Sequence, residues 1–457
     1  MLVGFNGSLE FSKPYEEGGF LVKKLLVILL AVLVVLSFAK VKVQFWHAMS
    51  GWRIQLIQSM ADEFMKLHPD IQVEVQYTGS YRDTLNKLIA AVKAGNPPHI
   101  VQIYDIGTQV MIDGGIAVPM QELIDKDKSF DIGKFMPQVL NYYKVNGKLY
   151  SMPFNSSNPI LYYNKTLFKK AGLDPNHPPR TFEELLEFAK KLTVKDANGN
   201  IVQAGITWPL HAWFFEQFMA VQNAPLVDNN NGRTGRATRA IFNSKAGLRF
   251  FKLWYDLTKS GAMINTKKED WDAADQYFLS QKVAMLITST SDVSYIAKMA
   301  KENGFELGTA FLPRPKETKS GGVVIGGASL WIIGGHPDKE TKAAWEFVKF
   351  MASPEMQIKW HTGTGYFPIR KDAVEMLLEK GYYAEHPNHL TALLQLLLST
   401  QTYNTNGAVI GAFPQVRDVI ETAIERMLNG EMTPEEALKW AEEEATKVIK
   451  EYNEIYQ

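Results

Sequence analysis

The chain reads as an α/β protein built from two lobes, on three observations. Its 457 residues exceed what one hydrophobic core usually serves. Strand and helix patterns alternate from residue 41 onward. No Gly/Ser-rich linker separates two independent halves, so the lobes are expected to be interwoven by several chain crossings. Apolar residues make up 46% and charged residues 21%, the composition of a chain that folds.

Each element has its own signal. Val41-Lys42-Val43-Gln44-Phe45-Trp46 alternates apolar and polar side chains and predicts a strand. Leu56, Ile57, Met60, Ala61, Phe64 and Met65 recur at helical spacing and predict a helix over 51–67. Alternation returns over 71–77, a helix is expected over 81–94, and 100–104 is a short apolar strand. This β-α-β-α-β order predicts a mainly parallel sheet with helices on its faces. Thr181 with Glu184 forms a capping box that opens a helix ending near Leu192. Two late strands are expected, over 284–287 and 323–333, and the Gly326–Gly327 pair inside the second weakens it unless something approaches the backbone closely. Thr433, Pro434 and Glu436 open a terminal helix whose apolar stripe, from Ala437 to Tyr452, reads as packing.

The N-terminal 1–39 reads as an extension and a signal peptide. Lys23 and Lys24 precede the apolar run Leu25–Leu36, and Ser37-Phe38-Ala39 supplies small residues at the cleavage positions. An uncleaved membrane anchor is the alternative. The charged pair sits unusually far from Met1, which suggests that translation starts at Leu21 or Val22. With no cysteine the chain cannot carry a lipoprotein anchor, a disulfide or a thiolate metal site, so release into the periplasm is expected.

The 49 basic and 49 acidic side chains cancel, which disfavours nucleic acid or an anionic membrane surface as partner. The close histidines of His386-Pro387-Asn388-His389 read as a solvated loop, not a metal site. Serine-nucleophile, Walker and dinucleotide motifs are missing. Asp272 and Asp275 share a helical face and read as a solvated surface pair. An enzyme and a cofactor are therefore not expected. What remains is a set of polar and aromatic residues at structural breaks, where parallel sheets expose ligand sites: Tyr81, Asp105, Ser156, Ser157, Ser289, Tyr366 and Arg417.

Pro153–Pro175, PFNSSNPILYYNKTLFKKAGLDP, resembles the signature of the family 1 extracellular solute-binding proteins. FWHAM from Phe45, GNPPHIVQIYDIGT from Gly95, IGGASLW from Ile325, HTGTGYFPI from His361 and FPQVR from Phe413 extend the likeness, specifically to glycerophosphate receptors of ABC importers. The resemblance implies the class II periplasmic binding protein fold, with an N-terminal lobe of 40–153 and 291–352, a C-terminal lobe of 154–290 and 353–457, and a ligand cleft between them. It implies a monomer that hands its ligand to the importer's membrane subunits. The implied ligand contacts are Tyr81, Asp105, Ser157, Ser289, Gly327, Tyr366 and Arg417. On this reading the Arg417 fork and Gly327 N–H hold phosphate with the neutral hydroxyls, while Asp105 and Tyr81 accept glycerol hydroxyls at the opposite end of the ligand. Asp105 stands where the similar receptors have Glu, and Phe182 where they have Trp. Trp46, Trp52, Trp208 and Trp213 are candidates to line the cleft. A neutral oligosaccharide as ligand and, from a different class, a secreted hydrolase are the rival readings.

Overall fold

The computed structural model describes residues 40–456, together with residues 1, 4 and 7. The signal peptide and the alternative start fall outside the described residues. The strands in chain order are β1 (Val41–His47), β2 (Ile71–Tyr77), β3 (Ile100–Tyr104), β4 (Ala117–Val118), β5 (Lys144–Val145), β6 (Lys148–Leu149), β7 (Met152–Ser157), β8 (Pro159–Asn164), β9 (Val194–Lys195), β10 (Ile201–Thr207), β11 (Val283–Ser289), β12 (Leu307–Ala310) and β13 (Gly326–Ile333). One sheet runs β2-β1-β3-β13-β4 with β7 also on β13; a second runs β12-β8-β11-β10-β9; β5 and β6 form a separate hairpin.

The opening β-α-β-α-β unit is present. In β1 the alternate residues Val41, Val43, Phe45 and His47 are buried, and β1 lies parallel to both β2 and β3. The intervening helix Trp52–Leu67 buries Ile57, Met60, Ala61 and Phe64, the one face that helical periodicity supplies. Past β3 the expectation of a mainly parallel sheet fails. β13 runs antiparallel to β3, β4 and β7, and in the second sheet only β10 and β11 are parallel, with β8 antiparallel to both β11 and β12. The reason is topological: β13 arrives from the second sheet, not through a right-handed βαβ crossover, so nothing imposes a parallel direction on it.

The two sheets define two lobes, and the chain crosses between them at Asn158, between β7 and β8. This buried residue is fixed from the second lobe: its carbonyl accepts from Thr290 N at 3.0 Å, its Oδ1 accepts from Gln395 at 2.9 Å, and its Nδ2 donates to Ala392 O at 3.2 Å. The chain returns between β12 and β13. The expected boundaries need correction here. β12 pairs with β8, so 291–310 belongs with the second sheet, although it was assigned to the first lobe. β7 carries the first sheet to Ser157. The helix Pro354–Gly363 still leans on the first lobe, with Lys359 Nζ 2.5 Å from Glu63 and Trp52 Nε1 donating to Gly363 O at 3.3 Å.

Two smaller readings also change. Pro387 opens the helix Pro387–Leu397, so His389 is not in a solvated loop; it is buried, with Nε2 2.9 Å from Ser294 Oγ, and burial pushes its imidazole down to about 3. β13 begins at Gly326, later than expected, because the N–H groups of Val323 and Val324 are taken by Ser399 Oγ and Gln217 Oε1, both at 3.0 Å, instead of by a ladder. Both capping boxes form, on Phe182–Lys191 and Pro434–Ile455. Among the described residues, no helix is long and apolar enough to cross a membrane.

Candidate ligand-binding cleft

The carboxyl ends of β1, β3 and β11 open onto one cavity of about 480 Å³ between the lobes. Tyr81, Asp105, Ser157, Ser289, Gly327, Tyr366 and Arg417 all line it. Residues from nearly every part of the chain therefore meet at one place, including Met49 and Arg53 after β1, Trp213 and Trp271 from the second lobe, and Arg417 from the late helix Phe413–Leu428.

The most heavily charged corner differs from the sequence expectation. Arg417 is buried, the fifth residue of its helix, and donates from Nε to Glu216 Oε1 at 2.5 Å and from Nη2 to Glu216 Oε2 at 2.9 Å. Its Nη2 also lies 3.5 Å from Asp105 Oδ2. Asp105 and Arg417 are thus neighbours on one wall, not opposite ends of a ligand, and the Nε/Nη2 fork expected to clasp phosphate is occupied by Glu216. Nη1 is the guanidinium edge without a protein partner among the described residues. Burial pushes the Asp105 carboxyl up to about 7, against the pull of Arg417, with Glu216 adding to the rise. Glu216 itself was not singled out in the sequence, although a lone carboxylate inside the apolar run Ala212-Trp213-Phe214-Phe215-Glu216-Gln217-Phe218 demands a buried partner.

Neutral polar groups line the same cavity. Ala48 N donates to Gln102 Oε1 at 2.8 Å, Gln102 Nε2 donates to Asn155 Oδ1 at 2.7 Å, and Asn155 Nδ2 donates to Tyr81 Oη at 2.7 Å. Because Tyr81 accepts in this relay, its own proton is left to donate; burial pushes its phenol well above 10 and keeps it neutral. Ser289 Oγ accepts from Ser291 N at 3.1 Å, which likewise frees its hydroxyl hydrogen. Tyr366 stacks on Trp360 at 5.6 Å between ring centres. The glycine pair is explained by what approaches it. Gly327 has φ +102°, and a Cβ there would lie 1.8 Å from Asn155 O; a Cβ on Gly326 would lie 2.6 Å from the Trp213 indole.

The other cations of the cleft are paired. Arg53 donates to Asp292 Oδ1 at 2.5 Å and to Ser291 O at 3.0 Å, and Arg82 binds Asp418 through two bonds of 3.0 and 3.1 Å. Asp275 corrects the surface-pair reading: it is buried, lines the cavity, and is pushed up by burial and by Asp292 and Asp272, while Asp272 is exposed as expected. Of the four candidate tryptophans only Trp213 lines the cavity. Trp208 is core against Trp254, Phe218 and Phe250, and Trp52 is largely exposed on Tyr295. Phe182 packs on Phe218, away from the cavity. Trp271 joins Trp213 at 6.0 Å between ring centres; it had no distinguishing sequence pattern.

Two His/Glu groups have metal-like proximity, His99–His336–Glu340 and His211–Glu269–Glu421. Hydrogen bonding argues against both. His99 Nδ1 accepts Gln44 N–H at 3.1 Å, placing the proton on the Nε2 that meets Glu340 at 2.9 Å, and its ring stacks on His336 at 3.9 Å. His211 Nδ1, the atom nearest Glu421, accepts the Trp213 N–H at 3.0 Å as a helix cap.

Two lobes on mixed sheets and a cleft at strand ends, walled by polar side chains from both, are the architecture of a solute receptor. The profile of the family described as bacterial extracellular solute-binding protein matches residues 59–391, and the chain belongs to that family. It is 34% identical over 422 residues to the sn-glycerol-3-phosphate-binding periplasmic protein UgpB of Pectobacterium atrosepticum, covering 91% of this chain and 93% of that one. To the protein of the same name from Escherichia coli K12 it is 33% identical over 417 residues, covering 90% and 93%. Among solved structures, UgpB from Mycobacterium tuberculosis in complex with glycerophosphocholine superposes with a TM-score of 0.75 at 20% identity, over 90% of this chain and 98% of that one. The GacH receptor of Streptomyces glaucescens, solved unliganded and with acarbose, gives 0.74 at 21%, over 90% and 99%. Both have this fold, and the family's work is binding, not turnover.

Proposed function

We propose that the chain is the periplasmic receptor of an ABC importer and that its solute is a glycerophosphate, sn-glycerol 3-phosphate foremost and glycerophosphodiesters such as glycerophosphocholine next. The observation that carries the reading is the buried guanidinium of Arg417, with its Nη1 edge left over by Glu216 and Asp105, in a cleft that neutral hydroxyls also line. A phosphate ester wants several fixed donors and one permanent cation, and Ser157, Ser289, Tyr366 and the Arg417 Nη1 edge offer them. The names and the 33–34% identity of the full-length relatives support the same solute. The protein acts as a monomer: ligand contacts from both lobes favour closure, and the importer's membrane subunits receive the closed form.

A neutral oligosaccharide is the second reading, favoured by the Trp213–Trp271 pair and by the carboxylates Asp105, Glu269, Asp272 and Asp275 in the cavity wall, which suit sugar rings and hydroxyls. Thermal-shift titration against glycerol 3-phosphate, glycerophosphocholine, maltotriose and inorganic phosphate separates the two. The expected result is a shift with the glycerophosphates and none with maltotriose; a shift with maltotriose alone overturns the proposal.

A further inference from the structure

The Arg417 corner holds more negative than positive charge before any ligand arrives. Asp105, Glu216 and Arg417 have side chains 7% exposed or less, and together they sum to one negative charge. The cations closest to it are already committed: Arg82 to Asp418, Lys268 to Asp418 and Glu421 at 2.9 Å each, and Arg53 to Asp292. The phenols and the imidazole facing the corner are neutral, and Arg233 is a further cation that stands behind them. Tyr81, Tyr104, Tyr142 and Tyr143 are phenols raised by burial, His211 is held well below 6.5 by burial and by Arg417, Lys268 and Arg82, and Arg233 lies behind Tyr142 with its guanidinium bonded to backbone carbonyls. An anionic phosphate ester at Nη1 would place three anions around one guanidinium, and because the side chains of Asp105, Glu216 and Arg417 are buried such repulsion is poorly screened.

We infer that the cleft captures its anionic solute together with one proton, which passes from solvent to the carboxylate of Asp105, and that Glu216 is the positioning residue that creates this requirement by occupying the Nε/Nη2 edge of Arg417. The inference rests on the phosphate-ester reading above. Protonation turns Asp105 from an acceptor facing an anion into an O–H donor, so the same step removes a repulsion and adds a hydrogen bond. The direction agrees with the raised carboxyl of Asp105 in the ligand-free cleft. Specificity follows: each further unit of ligand charge must be met by a proton, so the cleft prefers the monoanion, a phosphodiester or a singly protonated monoester, to the dianion.

Calorimetric titration of the full chain with glycerophosphocholine tests this, because a phosphodiester does not itself titrate near neutrality. At about pH 8, in two buffers of different ionisation enthalpy, the apparent binding enthalpy should differ by an amount equal to uptake of nearly one proton per ligand. At about pH 5.5, where Asp105 already carries the proton, the difference should vanish. Affinity should fall towards tenfold per pH unit above neutrality. Asp105→Asn should abolish the buffer dependence, and Glu216→Gln, by removing an anion that raises the Asp105 carboxyl, should reduce it while moving the onset of the affinity loss to lower pH, a change that a merely structural role would not produce. Binding at about pH 8 with no buffer dependence overturns the inference and leaves the phosphate-ester reading standing. Silence towards both glycerophosphocholine and glycerol 3-phosphate overturns both.

Discussion

Asp105 has a consequence for stability as well as for binding. Its folded carboxyl titrates at about 7, above the ordinary 3.8. Between those values the folded state keeps a proton that the unfolded state has released, so this group's contribution falls as pH rises, by roughly 1.4 kcal/mol per unit, and is fully lost above about 7. Asp105→Asn, which copies the protonated form, should therefore raise the ligand-free melting temperature at about pH 8 by several degrees and make little difference at about pH 4. A lower midpoint at pH 8 would show that the ionised carboxylate stabilises Arg417 more than burial costs. Gly327 makes the opposite kind of demand, since its φ of +102° and the 1.8 Å approach of Asn155 O leave no room for a methyl group. Gly327→Ala should destabilise by about 2–4 kcal/mol in urea titration and, by displacing Asn155, weaken the relay that orients Tyr81. At this scale the residue types of the cleft were legible from the sequence, but their partners were not. The proximity of Asp105 and Arg417 arises where the turn after β3 meets the helix Phe413–Leu428, and no local pattern encodes that meeting.

Among the elements, those with a local cause were readable. Alternating burial in β1, the stripe on Trp52–Leu67 and the two capping boxes each follow from periodicity or from a side chain satisfying a free N–H a few residues away. The Thr433 box is a simple check: Thr433 Oγ1 accepts from Glu436 N at 3.2 Å while Glu436 Oε2 accepts from Thr433 N at 2.8 Å. Thr433→Ala should cost about 1 kcal/mol in chemical denaturation without altering ligand affinity, because the helix Pro434–Ile455 lies outside the cleft. Elements whose direction is set by distant partners were misread. β13 has the composition of a buried parallel strand but pairs antiparallel on both sides, and the helix Pro387–Leu397 was hidden by a Pro-Asn-His opening that resembles a turn. The Pro at its first position is a helix-start signal that the neighbouring histidines obscured.

For the molecule as a whole, two lobes and their interweaving followed from length and from the absence of a linker, while the places where the chain changes lobe did not. Those places depend on pairings such as β12 with β8 and on the locking of Asn158, both long-range. A receptor so joined should gain stability from any solute bridging its lobes, by about 2.7 kcal/mol at a hundredfold excess over Kd. The central claim is that this solute is a phosphate ester held at Arg417. Calorimetric titration of glycerol 3-phosphate into the wild-type protein and into Arg417→Ala, with both folds verified by circular dichroism, tests it most directly. The account predicts saturable one-to-one binding by the wild type and loss of at least a hundredfold in affinity in the variant. Equal affinity in the two proteins, or no binding by the wild type, would contradict it.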